Sequence, residues 1–145
     1  MEALGMPGHL IRRMNQISTQ VFSARAREAG FDLTPVQFAA MDAIRVNPGI
    51  DQAGVATLIA YDRATIGGVI DRLVGKRLIA REVSQRDRRA RDLRLTPEGE
   101  ALFVRLLPLV KALQAEILHP LTEDEMAAFM ALARKVTAAA EVTGS

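Results

Sequence analysis

Residues 80–100, AREVSQRDRRARDLRLTPEGE, carry six arginines and three acids before Thr96 and then change abruptly to helix-forming sequence. Arginine pairs well with phosphate oxygens and is drawn into a narrow DNA groove, where the negative potential is enhanced. The charge crowds the middle of the stretch, with Arg86, Arg88, Arg89 and Arg91 around a single Asp87. Asp87 cannot cancel that charge, but it can orient a neighbouring guanidinium by a paired hydrogen bond. Ile79, Arg81 and Val83 share one strand face, and Leu93 and Leu95 share another, so the flanks predict a hairpin with QRDRRA as its tip. A basic hairpin tip is slender enough to deliver arginine to a minor groove. The plain alternative is an exposed, solvated loop.

Charge is uneven over the rest of the chain. Residues 63–94 hold ten Lys/Arg against four Asp/Glu, while the remainder holds nine against thirteen. A basic centre flanked by acidic arms fits a phosphate-binding face. The chain of 145 residues, 49% hydrophobic and 25% charged, suggests one folded domain rather than disorder. No apolar run is long enough to span a membrane and no secretory leader is evident, so a cytoplasmic protein is expected. The absence of cysteine excludes disulfides, thiol sensing and Cys-based zinc sites.

Two short helices must position any groove-reading surface. DQAGVATLIA predicts one, capped by Asp51 and buried through Val55, Leu58 and Ile59. YDRATIGGVIDRLVGKRL predicts the next, capped by Asp62 and buried through Ile66, Val69, Ile70 and Leu73; Asp71, Arg72, Gly75 and Lys76 lie on its other side. A tight turn at Ala60–Tyr61 makes the pair a helix-turn-helix. The second helix of such a pair fits the major groove, which brings Arg63 and Thr65 to base edges, with Arg72 further along. Gly67 and Gly68 cost roughly 1 kcal/mol each in a helix interior. Either they pack closely against a neighbouring helix, or they let the backbone approach DNA.

Longer helices flank this centre. Leu10, Met14, Ile17 and Val21 form one stripe over residues 9–29, with Gly30 as a stop. Thr34, Pro35 and Gln37 open a second helix that ends near Asn47. Thr96 and Pro97 open a helix running to about Leu118, with a kink expected near Pro108. Its inward residues are read as Leu102, Leu106, Leu109, Val110, Leu113 and Ile117. Thr122 and Glu125 box the start of the last helix, whose apolar face is Met126, Phe129, Met130, Ala133 and Val136. The fold class is therefore mainly α with a small β-hairpin wing.

From Leu33 to Gly99 the chain resembles the MarR family of winged helix-turn-helix regulators. LTPVQFAAMDAI resembles that family's second helix and DRATIGGVIDRLVGKRLI its recognition helix. DRRARDLRLTPEG matches the wing pattern through Asp87, Arg89, Leu93, Leu95, Thr96 and Gly99. The resemblance implies a winged core at about 34–99 within a single domain of residues 1–145. It also implies dimerisation helices at about 5–30 and 97–141, and a homodimer on a palindromic double-stranded operator. Arg89 would be the minor-groove arginine. Members often have Gly where Arg77 stands; a left-handed Arg77 would carry strain of order 1 kcal/mol.

The resemblance further implies repression relieved by a small aromatic or anionic ligand, here a small aromatic carboxylate or its thioester. His9, Arg12 and Arg13 are the candidate donors, with Met14, Phe38 and Met41 as apolar walls. The same residues also read as surface charges and plain core. His9 and His119 are the only histidines, so no metal site or cofactor is expected. No phosphate loop, paired-carboxylate set or activated nucleophile points to an enzyme. A non-specific architectural DNA-binding protein is the alternative function.

Overall fold

The structure, a computed structural model, describes residues 1–84 and 91–143. A 3-10 turn at Glu2–Gly5 precedes α1 (Pro7–Glu28), α2 (Pro35–Val46), α3 (Gln52–Leu58) and α4 (Ile66–Gly75). Strands β1 (Ile79–Val83) and β2 (Arg91–Leu95) follow, then α5 (Pro97–Ile117) and α6 (Glu123–Thr143). None of the described helices is long and apolar enough to cross a membrane.

Local chemistry sets most boundaries. Gly30 sits at φ 82°, and the Phe31 N–H donates to the Ala26 carbonyl at 2.8 Å, closing α1. Thr34 accepts from the Gln37 N–H, and the Gln37 side chain accepts from the Thr34 N–H, each at 3.2 Å. Thr122 and Glu125 form the same reciprocal box before α6, at 2.9 and 3.2 Å. The Thr122 N–H draws the Glu125 carboxyl below the usual range. The helix of α5 runs unbroken through Pro108.

Two helices stop on residues with a Cβ. Ala60 (φ 54°) ends α3 and Arg77 (φ 62°) follows α4. In each the next residue's N–H reaches back to the helix: Tyr61 to Ala56 O at 2.9 Å, Leu78 to Leu73 O at 3.0 Å. These are the closures glycine usually makes, so both positions hold the strain of a left-handed side-chain-bearing residue. Of the two exits open at Arg77, the left-handed one with its strain is the one adopted.

Two expectations require correction. Leu58 is 58% exposed, because the buried face of α3 centres on Val55, Ala56 and Ile59, and Leu58 lies roughly 100° of rotation away. Asp62 does not cap α4. Its side chain instead accepts the Ala64 N–H at 3.0 Å, and its carbonyl accepts from Thr65 and Ile66. This local turn competes with the helix, which starts at Ile66.

The core lies where α1, α2, α4 and α5 meet the hairpin. Ile44, Ile70, Leu73, Leu93 and Leu106 are fully enclosed. Phe103, absent from the predicted inward face of α5, is buried and stacks on Phe38 with centroids 5.1 Å apart and planes within 6°. Phe22 lies 6.2 Å from Phe38, and the Arg45 guanidinium stands 4.5 Å over the Phe103 ring. Arg25 ties α1 to α5 through Glu116, with Nε donating at 2.8 Å. That bond raises the Arg25 pKa and, with the Arg25 charge, lowers that of Glu116.

The terminal helices are covered differently. In α1 only Phe22 and Ala26 are buried, and Leu10 is 52% exposed. No described residue of α6 is buried; Met126, Phe129 and Ala133 are half-buried, while Leu132 and Val136 are more than 60% exposed.

Candidate nucleic-acid interface

The hairpin is antiparallel, with Ile79 opposite Leu95, Arg81 opposite Leu93 and Val83 opposite Arg91. Ile50 adds a bridge that sequence reasoning missed. The Leu93 N–H donates to Ile50 O and the Gly49 N–H to Leu93 O, both at 2.9 Å. The loop before α3 is thereby stitched to the wing.

One hydroxyl organises the other end of the hairpin. Thr96 Oγ1 donates to the Arg77 carbonyl at 2.7 Å and accepts from the Gly99 N–H at 3.0 Å, while the Thr96 N–H reaches Leu78 O. A Cβ on Gly99 would overlap the Leu78 carbonyl oxygen. Thr96 and Gly99 therefore join the exit of α4 directly to the start of α5. This gives the Thr-Pro-x-Gly spacing a physical reason.

The expected reading surface falls on α4 and the turn before it. Arg63 is exposed in that turn, and Thr65 stands at the N-cap position with its hydroxyl donating to Asp62 O at 3.2 Å. Arg72 is exposed on the helix. A Cβ on Gly68 would meet nothing within 4 Å, and one on Gly67 would meet only the Gln52 amide at 3.6 Å. Close packing thus accounts for neither glycine. Lys76 is not on this surface; it donates to the Asp32 carbonyl at 2.5 Å and to Gln37 at 3.2 Å. Arg91 is exposed at the start of β2, whereas Arg86, Asp87, Arg88 and Arg89 lie outside the described residues.

Arg81 and Asp71 touch across this surface. Arg81 Nη2 lies 2.8 Å from Asp71 Oδ1, and its Nη1 is 3.4 Å from Gln52 Oε1. Sequence gave no signal for this contact, since its partners belong to three elements.

The six candidate ligand residues do not share a cavity among the described residues. His9 Nδ1 is 3.1 Å from Arg12 Nη2, and Arg13 donates to Gln16 at 2.7 Å. Met14 lines an apolar hollow of about 500 Å³ with Ile17, Ile117, Leu118 and Phe129. Phe38 lines a separate hollow of about 480 Å³ with Asp42, Val46 and Leu58. Met41 is fully enclosed in the core, which removes it from any open cleft of the single chain. Among the described residues, no three His, Cys, Asp or Glu side chains gather as metal ligands.

Comparison with known proteins gives this geometry a context. The MarR family model matches residues 31–90, from the entry to α2 through β1, and ends just before β2. The transcriptional regulator HosA of Escherichia coli O127:H6 is 33% identical over 128 residues, covering 88% of this chain and 92% of HosA. BpsR of Bordetella bronchiseptica, whose DNA binding is regulated by 6-hydroxynicotinic acid, matches with TM-score 0.83 and 30% identity, over 92% of this chain and 94% of BpsR. The transcriptional repressor CouR, solved on a 23-mer DNA duplex, matches with TM-score 0.81 and 26% identity, over 92% and 96%. The chain belongs to the MarR family, and is a winged-helix, DNA-binding transcriptional regulator rather than an enzyme.

Proposed function

We propose that the protein is a cytoplasmic, homodimeric repressor that holds a palindromic operator and releases it when a small aromatic carboxylate, or its thioester, binds. The observation that carries sequence-specific reading is the open face of α4. Arg63 and Thr65 in the turn before it and Arg72 on it are exposed, and Gly67 and Gly68 are glycines that no packing contact demands. In this reading Arg63 and Thr65 meet base edges, and the two glycines let the helix backbone settle into the major groove. Arg86, Arg88, Arg89 and Arg91, with Asp87 orienting them, serve the adjacent minor groove.

The winged core at about 34–99 reads DNA, and the arms at about 5–30 and 97–141 pair two copies. Exposed Leu10, Ile11, Leu132 and Val136 support that pairing, since large apolar side chains left open along both arms gain by burial against a second copy. The effector class is supported by BpsR, which answers to 6-hydroxynicotinic acid. His9, Arg12 and Arg13 would supply its donors, with Met14 and Phe38 on the apolar side once the partner copy closes the site, and enclosed Met41 behind them in the core.

Selection of bound duplexes from a random pool, with and without a panel of aromatic and N-heteroaromatic acids, tests the proposal. An enriched palindrome with half-sites about one helical turn apart, lost with one acid class, is expected. Binding without enrichment would leave a non-specific architectural protein instead.

A further inference from the structure

We propose that Arg81 and Asp71 are a positioning pair that fixes the wing against the recognition helix, so that an acid on the DNA-binding face strengthens sequence-specific binding. The inference rests on the operator-reading role proposed for α4. The contacts form a closed circuit. Arg81 on β1 binds Asp71 on α4 at 2.8 Å and Gln52, the first residue of α3, at 3.4 Å. Two residues before Gln52, Ile50 pairs with Leu93, and Leu93 is the cross-strand partner of Arg81. The hairpin, α4 and the start of α3 are thus joined through one guanidinium.

The alternative role for Arg81 is a direct phosphate contact, natural for an arginine within the basic segment. The two roles predict opposite signs at Asp71. If Arg81 binds phosphate, Asp71 competes for it and repels DNA, so Asp71→Asn strengthens binding to every duplex. If Arg81 positions the wing, Asp71→Asn frees the hairpin to swing and weakens the operator complex, although a negative charge has been removed. Random DNA, which needs no fixed spacing between groove contacts, is then bound as well as before or better.

Full-length Asp71→Asn, Arg81→Gln and the double variant should be titrated against the selected operator and a random duplex. We expect each single change to lower operator affinity roughly tenfold, and the double to cost little more than either, as groups acting through one another do. Operator binding by Asp71→Asn equal to or tighter than wild type would overturn the assignment. Amide exchange over residues 79–83 and 91–95 gives a readout independent of any operator. Exchange should quicken in Asp71→Asn at an unchanged melting temperature, and unchanged exchange also overturns it. If the wild type enriches no operator, the proposed function fails while the exchange measurement still decides the pair.

Discussion

The winged core and the terminal arms are built on opposite terms. Around α4 and the hairpin, contacts are closed within the chain: Thr96 holds Arg77, Gly99 lies under Leu78, and Ile50 is stitched to Leu93. On the arms, long helices keep apolar faces open, with Leu10, Ile11, Leu132 and Val136 all more than half exposed. A surface that must present fixed groups at fixed spacing needs its shape settled before it meets its target. In the homodimer proposed above, the arms would bury their open stripes against the second copy and need no such settlement. The difference separates residues whose loss unfolds the core from residues whose loss changes association.

Substitutions can break that contrast in order of size. Phe103→Ala removes the ring beneath Phe38 and Arg45, and should cost about 3–5 kcal/mol in denaturant unfolding. Gly99→Ala forces a methyl into the Leu78 carbonyl and should cost on the order of 3 kcal/mol, seen as a lowered melting temperature. A loss near zero would show that the joint has slack. Arg77→Gly relieves a left-handed arginine, and is expected to stabilise by about 0.5–1 kcal/mol, with the gain offset in part by a looser unfolded chain.

The arms should behave otherwise. Leu10→Ser with Val136→Ser should change unfolding by no more than about 0.5 kcal/mol, compared where both proteins are monomeric. The same double change should move sedimentation from dimer to monomer at higher concentration. Acidification gives the smallest effect. Glu116 and Glu125 have pKa values held below the ordinary carboxylate range, by Arg25 and by the Thr122 N–H respectively. Their stabilisation is whole above that range and is lost as pH falls through the lowered values. A shallow decline in melting temperature on acid titration, flattened in Glu116→Gln, would register it.

What could be read from sequence was what is decided within a few residues. The boxes Thr34/Gln37 and Thr122/Glu125 and the cap at Asp51 stand where local pattern put them. So does the buried face Ile66, Val69, Ile70 and Leu73. Failure came where two local solutions competed, as at Asp62, which folds its own turn instead of capping α4. It came again where a contact spans distant segments: Phe103 on Phe38, Ile50 on Leu93, Arg81 on Asp71.

The single hydroxyl of Thr96 has a mechanical consequence. It ties the last carbonyl of the recognition-helix exit to the first turn of α5, and Gly99 leaves no padding between them. The shaft of α5 and the blade of the hairpin therefore share one pivot. That joint is the route by which a roll of the shaft would reach the blade as a change of angle.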